Sequence, residues 1–110
     1  MPIAVRERLR AVERDLGSQA EVARVLGVSR SRVSRWLRDE DPDPKNRRKL
    51  EGLEFVLARL QQTYEPDTAG KWLRGFNAHL GDRRPVDLLS AGRVAEVLRA
   101  IEAEETGAYG

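Results

Sequence analysis

Cysteine is absent from this 110-residue chain, and histidine occurs once, at His79. Those two shortages exclude a thiolate zinc site, a cysteine nucleophile, a disulfide-stapled secreted scaffold and a His-rich metal cluster. Long apolar runs are missing too. The uninterrupted stretches are a few residues long, as at Val56-Leu57-Ala58, so neither a membrane span nor a secretory core is expected, and a reducing, cytoplasmic location is. There is no G-x-x-x-x-G-K-[ST] phosphate loop and no Rossmann glycine pattern. His79 has Asp82 nearby in sequence but no nucleophile or metal partner, so it reads as a surface imidazole and catalysis is not expected. No cofactor or metal is implied. Strand-like alternation, internal repeats and low-complexity tracts are also missing, which leaves an all-α fold.

What is present is charge, unevenly placed. Residues 1–50 hold 13 Lys/Arg against 8 Asp/Glu, net +5, and residues 51–110 hold 7 against 10, net −3, within an overall +2. A basic first half and an acidic second half point to two tasks in one small chain. Seventeen of the 20 cations are arginine. The planar arginine fork suits phosphates and guanine edges, although a GC-rich genome also produces that composition.

Helical periodicity organises the chain. Val5, Leu9, Val12 and Leu16 form one stripe, closed by Gly17 at a left-handed cap. Ser18-Gln19-Ala20-Glu21 reads as a capping box, with serine hydroxyl and glutamate carboxylate each satisfying a free N–H. Val22, Ala23, Val25 and Leu26 follow, then Gly27, and Ser29 caps a third helix carrying Val33, Trp36 and Leu37. Arg38-Asp39-Glu40-Asp41-Pro42-Asp43-Pro44 reads as a linker, dividing residues 1–44 from 45–110. From Lys45 to Tyr64, Leu50, Leu53, Leu57 and Leu60 repeat at helical steps, with Phe55 and Val56 widening a stripe that suits either a core or a self-association seam. Pro66 opens a helix bearing Ala69, Trp72, Leu73 and Phe76. Asn77 to Pro85 is turn-rich, Val86-Leu88-Leu89 is a short apolar piece, and Val94, Val97, Leu98 and Ile101 mark a last helix. The closing Thr106-Gly107-Ala108-Tyr109-Gly110 has no helical pattern.

Ala23, Gly27, Val33 and Trp36 are spaced as in, and resemble, the helix-turn-helix of phage-repressor-like (Xre-type) regulators. At 100° per residue the apolar Val33, Trp36 and Leu37 share one side of the third helix. Arg30, Ser31, Ser34, Arg35 and Arg38 are left on the other. No acidic residue occurs from Val22 to Arg38. By resemblance, Arg30, Ser31, Ser34 and Arg35 fall at base-reading positions, Gln19 at a phosphate-contacting helix start, and Arg32 and Arg38 at backbone contacts. Trp36, by register, is a core residue. The bland alternative for the arginines is a solvated helix face.

In the second half, Trp72-Leu73, Asn77, Leu80, Arg84-Pro85, Asp87-Leu88-Leu89, Gly92, Val97-Leu98, Ile101 and Gly107-Ala108-Tyr109 occur in order. That set resembles the C-terminal toxin-binding domain of the Xre/MbcA/ParS antitoxins, with Phe76 and Ala78 standing where members often carry proline. The resemblance implies an antitoxin that neutralises a RES-domain, NAD-consuming toxin and represses its own operon by binding operator DNA, as a homodimer or larger assembly. It further implies that Gly107, Ala108, Tyr109 and Gly110 enter the toxin's NAD pocket. Trp72, Leu73, Leu88 and Leu89 would be the supporting scaffold, and Glu104 and Glu105, with Glu102, an acidic approach without a compensating base. Two rivals remain open at this point: a stand-alone regulator whose second half only dimerises, and a small enzyme using His79.

Overall fold

The computed structural model describes the backbone of residues 2–107 and the side chains from Val5 to Gly107. Seven α-helices and one 3-10 turn make up this part: α1 (Pro2–Leu16), α2 (Gln19–Leu26), α3 (Arg30–Arg38), α4 (Pro44–Gln61), α5 (Pro66–Arg74), the 3-10 turn Ala78–Leu80, α6 (Pro85–Ser90) and α7 (Val94–Gly107). One isolated antiparallel bridge, Asn77 to Arg83, closes the turn region, and there is no strand among the described residues.

Local stereochemistry explains most boundaries. Ser18 Oγ accepts from the Glu21 N–H at 3.1 Å and starts α2. The other half of the capping box is not formed: the Glu21 carboxylate turns toward Arg24 at 3.9 Å and Arg74 of α5 at 3.8 Å, because tertiary packing brings a cation within reach. Gly27, at φ 71°, ends α2 in the left-handed conformation. The Val28 N–H then reaches back to the Ala23 carbonyl, and Ser29 caps α3 through the Arg32 N–H. Pro44, which reads as linker from the sequence, occupies the first turn of α4, where a missing N–H costs nothing.

The apolar faces of all seven helices meet in one cluster that runs from Val5 to Ile101. Leu50, Leu53, Val56, Leu57 and Leu60 of α4 lie inside it, so their stripe is core. Phe55 is not part of that stripe. It sits two residues from Leu53 and Leu57, about 200° around the helix, and is 68% exposed. Phe76 also leaves its expected face: α5 ends at Arg74, Gly75 is extended, and the ring is 77% exposed, lying 5.5 Å from the Arg84 guanidinium. At the far end, α7 runs through Thr106 and Gly107, which the sequence pattern leaves outside any helix.

Gly52 fixes how closely α4 and α7 approach. A β-carbon there would overlap the side chain of Val94. Alanine is the better helix former by about 1 kcal/mol, yet Gly52→Ala is expected to destabilise the chain by about 1–3 kcal/mol through overpacking. Trimming the neighbour in a Gly52→Ala/Val94→Ala double variant should recover much of the loss in thermal unfolding followed by circular dichroism. A Gly52→Ala chain as stable as its parent would show that the two helices have room to part.

Candidate functional site

Two surfaces gather the residues singled out above. The first is built by α2 and α3. Because Val33, Trp36 and Leu37 are buried against the rest of the core, the opposite side of α3 is turned outward. Arg30, Ser31, Ser34, Arg35 and Arg38 line a groove of about 450 Å³ there, and Gln19 at the start of α2 closes one end. Trp36 is 2% exposed, as its register requires. Hydroxyls and guanidinium forks on a short exposed helix suit hydrogen bonding to phosphate oxygens and base edges.

Arg32 is the one member of the arginine-serine set that stands outside this groove. Its guanidinium pairs with Asp43 at 3.0 Å and lies 5.8 Å from the centre of the Trp36 ring. Asp43 also accepts from the Asn46 amide at 2.6 Å. That hydrogen bond, with a smaller contribution from Arg32, holds the Asp43 carboxyl below its ordinary range. Arg32 thus ties the first turn of α3 to the beginning of α4. Arg35, within the groove, is 3.6 Å from Glu40. The acid-free stretch of sequence is therefore not an acid-free neighbourhood, because the chain folds its connecting segment back toward α3.

The second surface surrounds the end of α7. Leu73, Leu88 and Leu89 are buried in the common core. Trp72 is half-buried, and its indole N–H donates to the Glu104 carboxylate at 2.6 Å. Tyr64 donates its hydroxyl to the same carboxylate at 3.3 Å. Burial first, and then the Glu104 charge, push the Tyr64 phenol above its ordinary value of 10.0. Glu105 meets the Arg59 guanidinium at 3.0 and 3.1 Å. The acidic run expected to lack a compensating base therefore has one, supplied by α4, while Glu102 remains exposed. Gly107 is exposed at the end of the helix, and Ala108, Tyr109 and Gly110 lie outside the described residues.

Grooves of about 610 and 570 Å³ flank this helix end, the first lined by Arg83, Arg99, Glu102 and Thr106, the second by Lys71, Trp72, Phe76 and Glu104. His79 borders both and is exposed. Among the described residues no group of three or more His, Asp or Glu side chains is placed to hold a metal ion, and no helix is long and apolar enough to cross a membrane. Arg59 and Tyr64 were not legible as site residues. Their acidic partners lie 46 and 40 positions away, and nothing in either local pattern marks a long-range contact.

Comparison with known proteins matches both halves of the chain. A helix-turn-helix family matches residues 9–52, and the antitoxin Xre/MbcA/ParS C-terminal toxin-binding domain matches residues 59–107. A probable mycobacterial cidal antitoxin of Mycobacterium tuberculosis is 36% identical over 92 residues, which span 84% of this chain and 79% of that protein. The mycobacterial cidal antitoxin MbcA of Mycobacterium bovis is 30% identical over 100 residues, 90% of this chain and 88% of that one. Among solved structures, a chain of the crystal structure of the M. tuberculosis MbcT-MbcA toxin-antitoxin complex superposes with a TM-score of 0.77 at 28% identity, covering 93% of this chain and 94% of that one.

Proposed function

The chain belongs to the Xre/MbcA/ParS antitoxins, and from that premise we propose that it neutralises a RES-domain, NAD-consuming toxin and represses its own operon. In this reading residues 1–44 bind operator DNA and residues 45–110 bind the toxin. The segment Gly107 to Gly110 blocks the toxin's NAD site. The observation that carries the proposal is the presence in one small chain of an arginine-serine groove on a helix-turn-helix and a family-matched helical module whose last helix ends at a firmly held point. The relatives are named antitoxins rather than enzymes, and the related solved chain is one half of a toxin-antitoxin complex. Those facts favour a toxin partner over a stand-alone regulator.

One short recognition helix offers few base contacts, so tight discrimination calls for a dimer or larger assembly on symmetric half-sites. Arg30→Ala and Arg35→Ala are each expected to cost about 1–3 kcal/mol, concentrated at particular base pairs. Arg38→Ala should weaken binding evenly across sequences and lower the salt slope by about 1. Arg32→Ala should act differently, lowering thermal stability more than DNA affinity, because its partners are Asp43 and Trp36. Footprinting upstream of the operon, with each variant titrated against operator and scrambled DNA, measures the affinities, and thermal unfolding measures the stability of Arg32→Ala. An unprotected upstream region would end the autoregulation reading. Copurification of the neighbouring gene product tests the toxin half, and its absence in tagged pull-downs would count against it.

A further inference from the structure

The last turn of α7 is ordered against its own local preferences. Glu102, Glu104 and Glu105 crowd the end of a helix that has no basic residue in its last turn. The aligned peptide dipoles leave partial negative charge there, so carboxylates are unfavourable. Glycine at position 107 is a poor helix former as well. Yet the helix continues through Gly107. Each of two carboxylates has found a donor on another element: Glu104 takes the Trp72 indole N–H at 2.6 Å and the Tyr64 hydroxyl at 3.3 Å, and Glu105 takes Arg59 at 3.0 Å. These contacts come from α4, the α4–α5 connection and α5, and they enclose a small space of about 120 Å³ beneath the helix end.

We propose that Trp72, Tyr64 and Arg59, acting through Glu104 and Glu105, clamp the end of α7 and fix the direction in which the terminal segment leaves it toward the toxin. This inference rests on the plug reading above and deepens it. Glu104 and Glu105 are positioning residues, paired with the antitoxin's own donors, Glu104 half-buried and Glu105 at the surface. A tail launched from a fixed point loses less conformational freedom on binding than one launched from a frayed helix, and the saving appears as affinity. Two directional hydrogen bonds to one carboxylate set an angle as well as a distance, which a charge pair alone does not.

Hydrogen exchange on the free, full-length protein tests the clamp directly. Helix propensity and the dipole by themselves make Glu104→Ala tighten the last turn; the clamp makes it loosen. Amides of residues 103–107 are expected to exchange about tenfold faster in Glu104→Ala and in Trp72→Phe, the effect of one lost charge-assisted hydrogen bond. Glu104→Gln, whose amide oxygen still accepts the indole N–H, should retain part of the protection. Unchanged or slower exchange in Glu104→Ala overturns the proposal. The second arm measures affinity for the purified toxin partner, with operator binding and the thermal midpoint as controls for folding. Trp72→Phe should weaken binding about tenfold in the full-length chain and leave it unchanged in a chain lacking residues 106–110. An equal loss in both chains overturns positioning and makes Trp72 a direct contact. If truncation itself leaves affinity unchanged, the plug reading is what fails, and the exchange measurement alone decides whether the clamp exists.

Discussion

Deleting residues 106–110 is expected to leave operator binding intact and to restore NAD loss in cells that coexpress the toxin, a separation of the two functions proposed for the chain. The cut falls just beyond the Arg59–Glu105 pair, so the residues of the clamp on α7 and the buried leucines are all retained. Every residue lining the arginine groove lies between Gln19 and Arg38, and none is removed. What is removed is a short segment containing one aromatic, Tyr109, with glycines at positions 107 and 110. A planar ring is a fair substitute for part of a dinucleotide, and glycine lets the backbone enter a narrow slot. Loss of inhibition should therefore be near complete rather than graded. NAD measured in coexpressing cells, and toxin activity assayed with purified truncated protein, give the result. Continued protection by the truncated chain would place inhibition on the module's surface, in the two grooves beside α7.

Leu57→Glu should unfold the protein. The leucine is 4% exposed and belongs to the cluster that joins all seven helices. An uncompensated charge there costs at least about 3–5 kcal/mol, to be set against the roughly 5–15 kcal/mol that holds an ordinary domain together. The lesion is expected to remove the cooperative transition rather than split an assembly. Phe55→Glu is the matched control, because a residue 68% exposed on the same helix has nothing to lose by becoming charged. Circular dichroism and light scattering on both variants decide the matter. A folded Leu57→Glu chain of reduced mass would mean that the stripe is a seam between subunits after all.

The helix-turn-helix was legible because its determinants are local. Ser18, Ser29 and Gly27 act on backbone groups within a few residues, and the outward set on α3 follows from 100° of rotation per residue once Val33, Trp36 and Leu37 are taken as buried. The resemblance in the second half likewise rested on residues read in order along the chain. Periodicity failed where a helix ended unannounced. Phe76 kept the spacing of α5, but Gly75 had already turned the backbone out of the helix, and the ring went to solvent beside Arg84.

Partnership is another matter. The sequence by itself determined where most helices begin and end, which sides are apolar, and that arginines and serines crowd one face of α3, since all of this follows from backbone stereochemistry and side-chain period over a few turns. Only the tertiary structure decided that Arg32 belongs to Asp43, that Glu21 abandons its capping role for Arg74, and that Glu104 and Glu105 pair with Trp72, Tyr64 and Arg59. The acids closing α7 are separated from those donors by 32 to 46 positions. A carboxylate carries no local mark of which distant donor the packing of seven helices will set beside it.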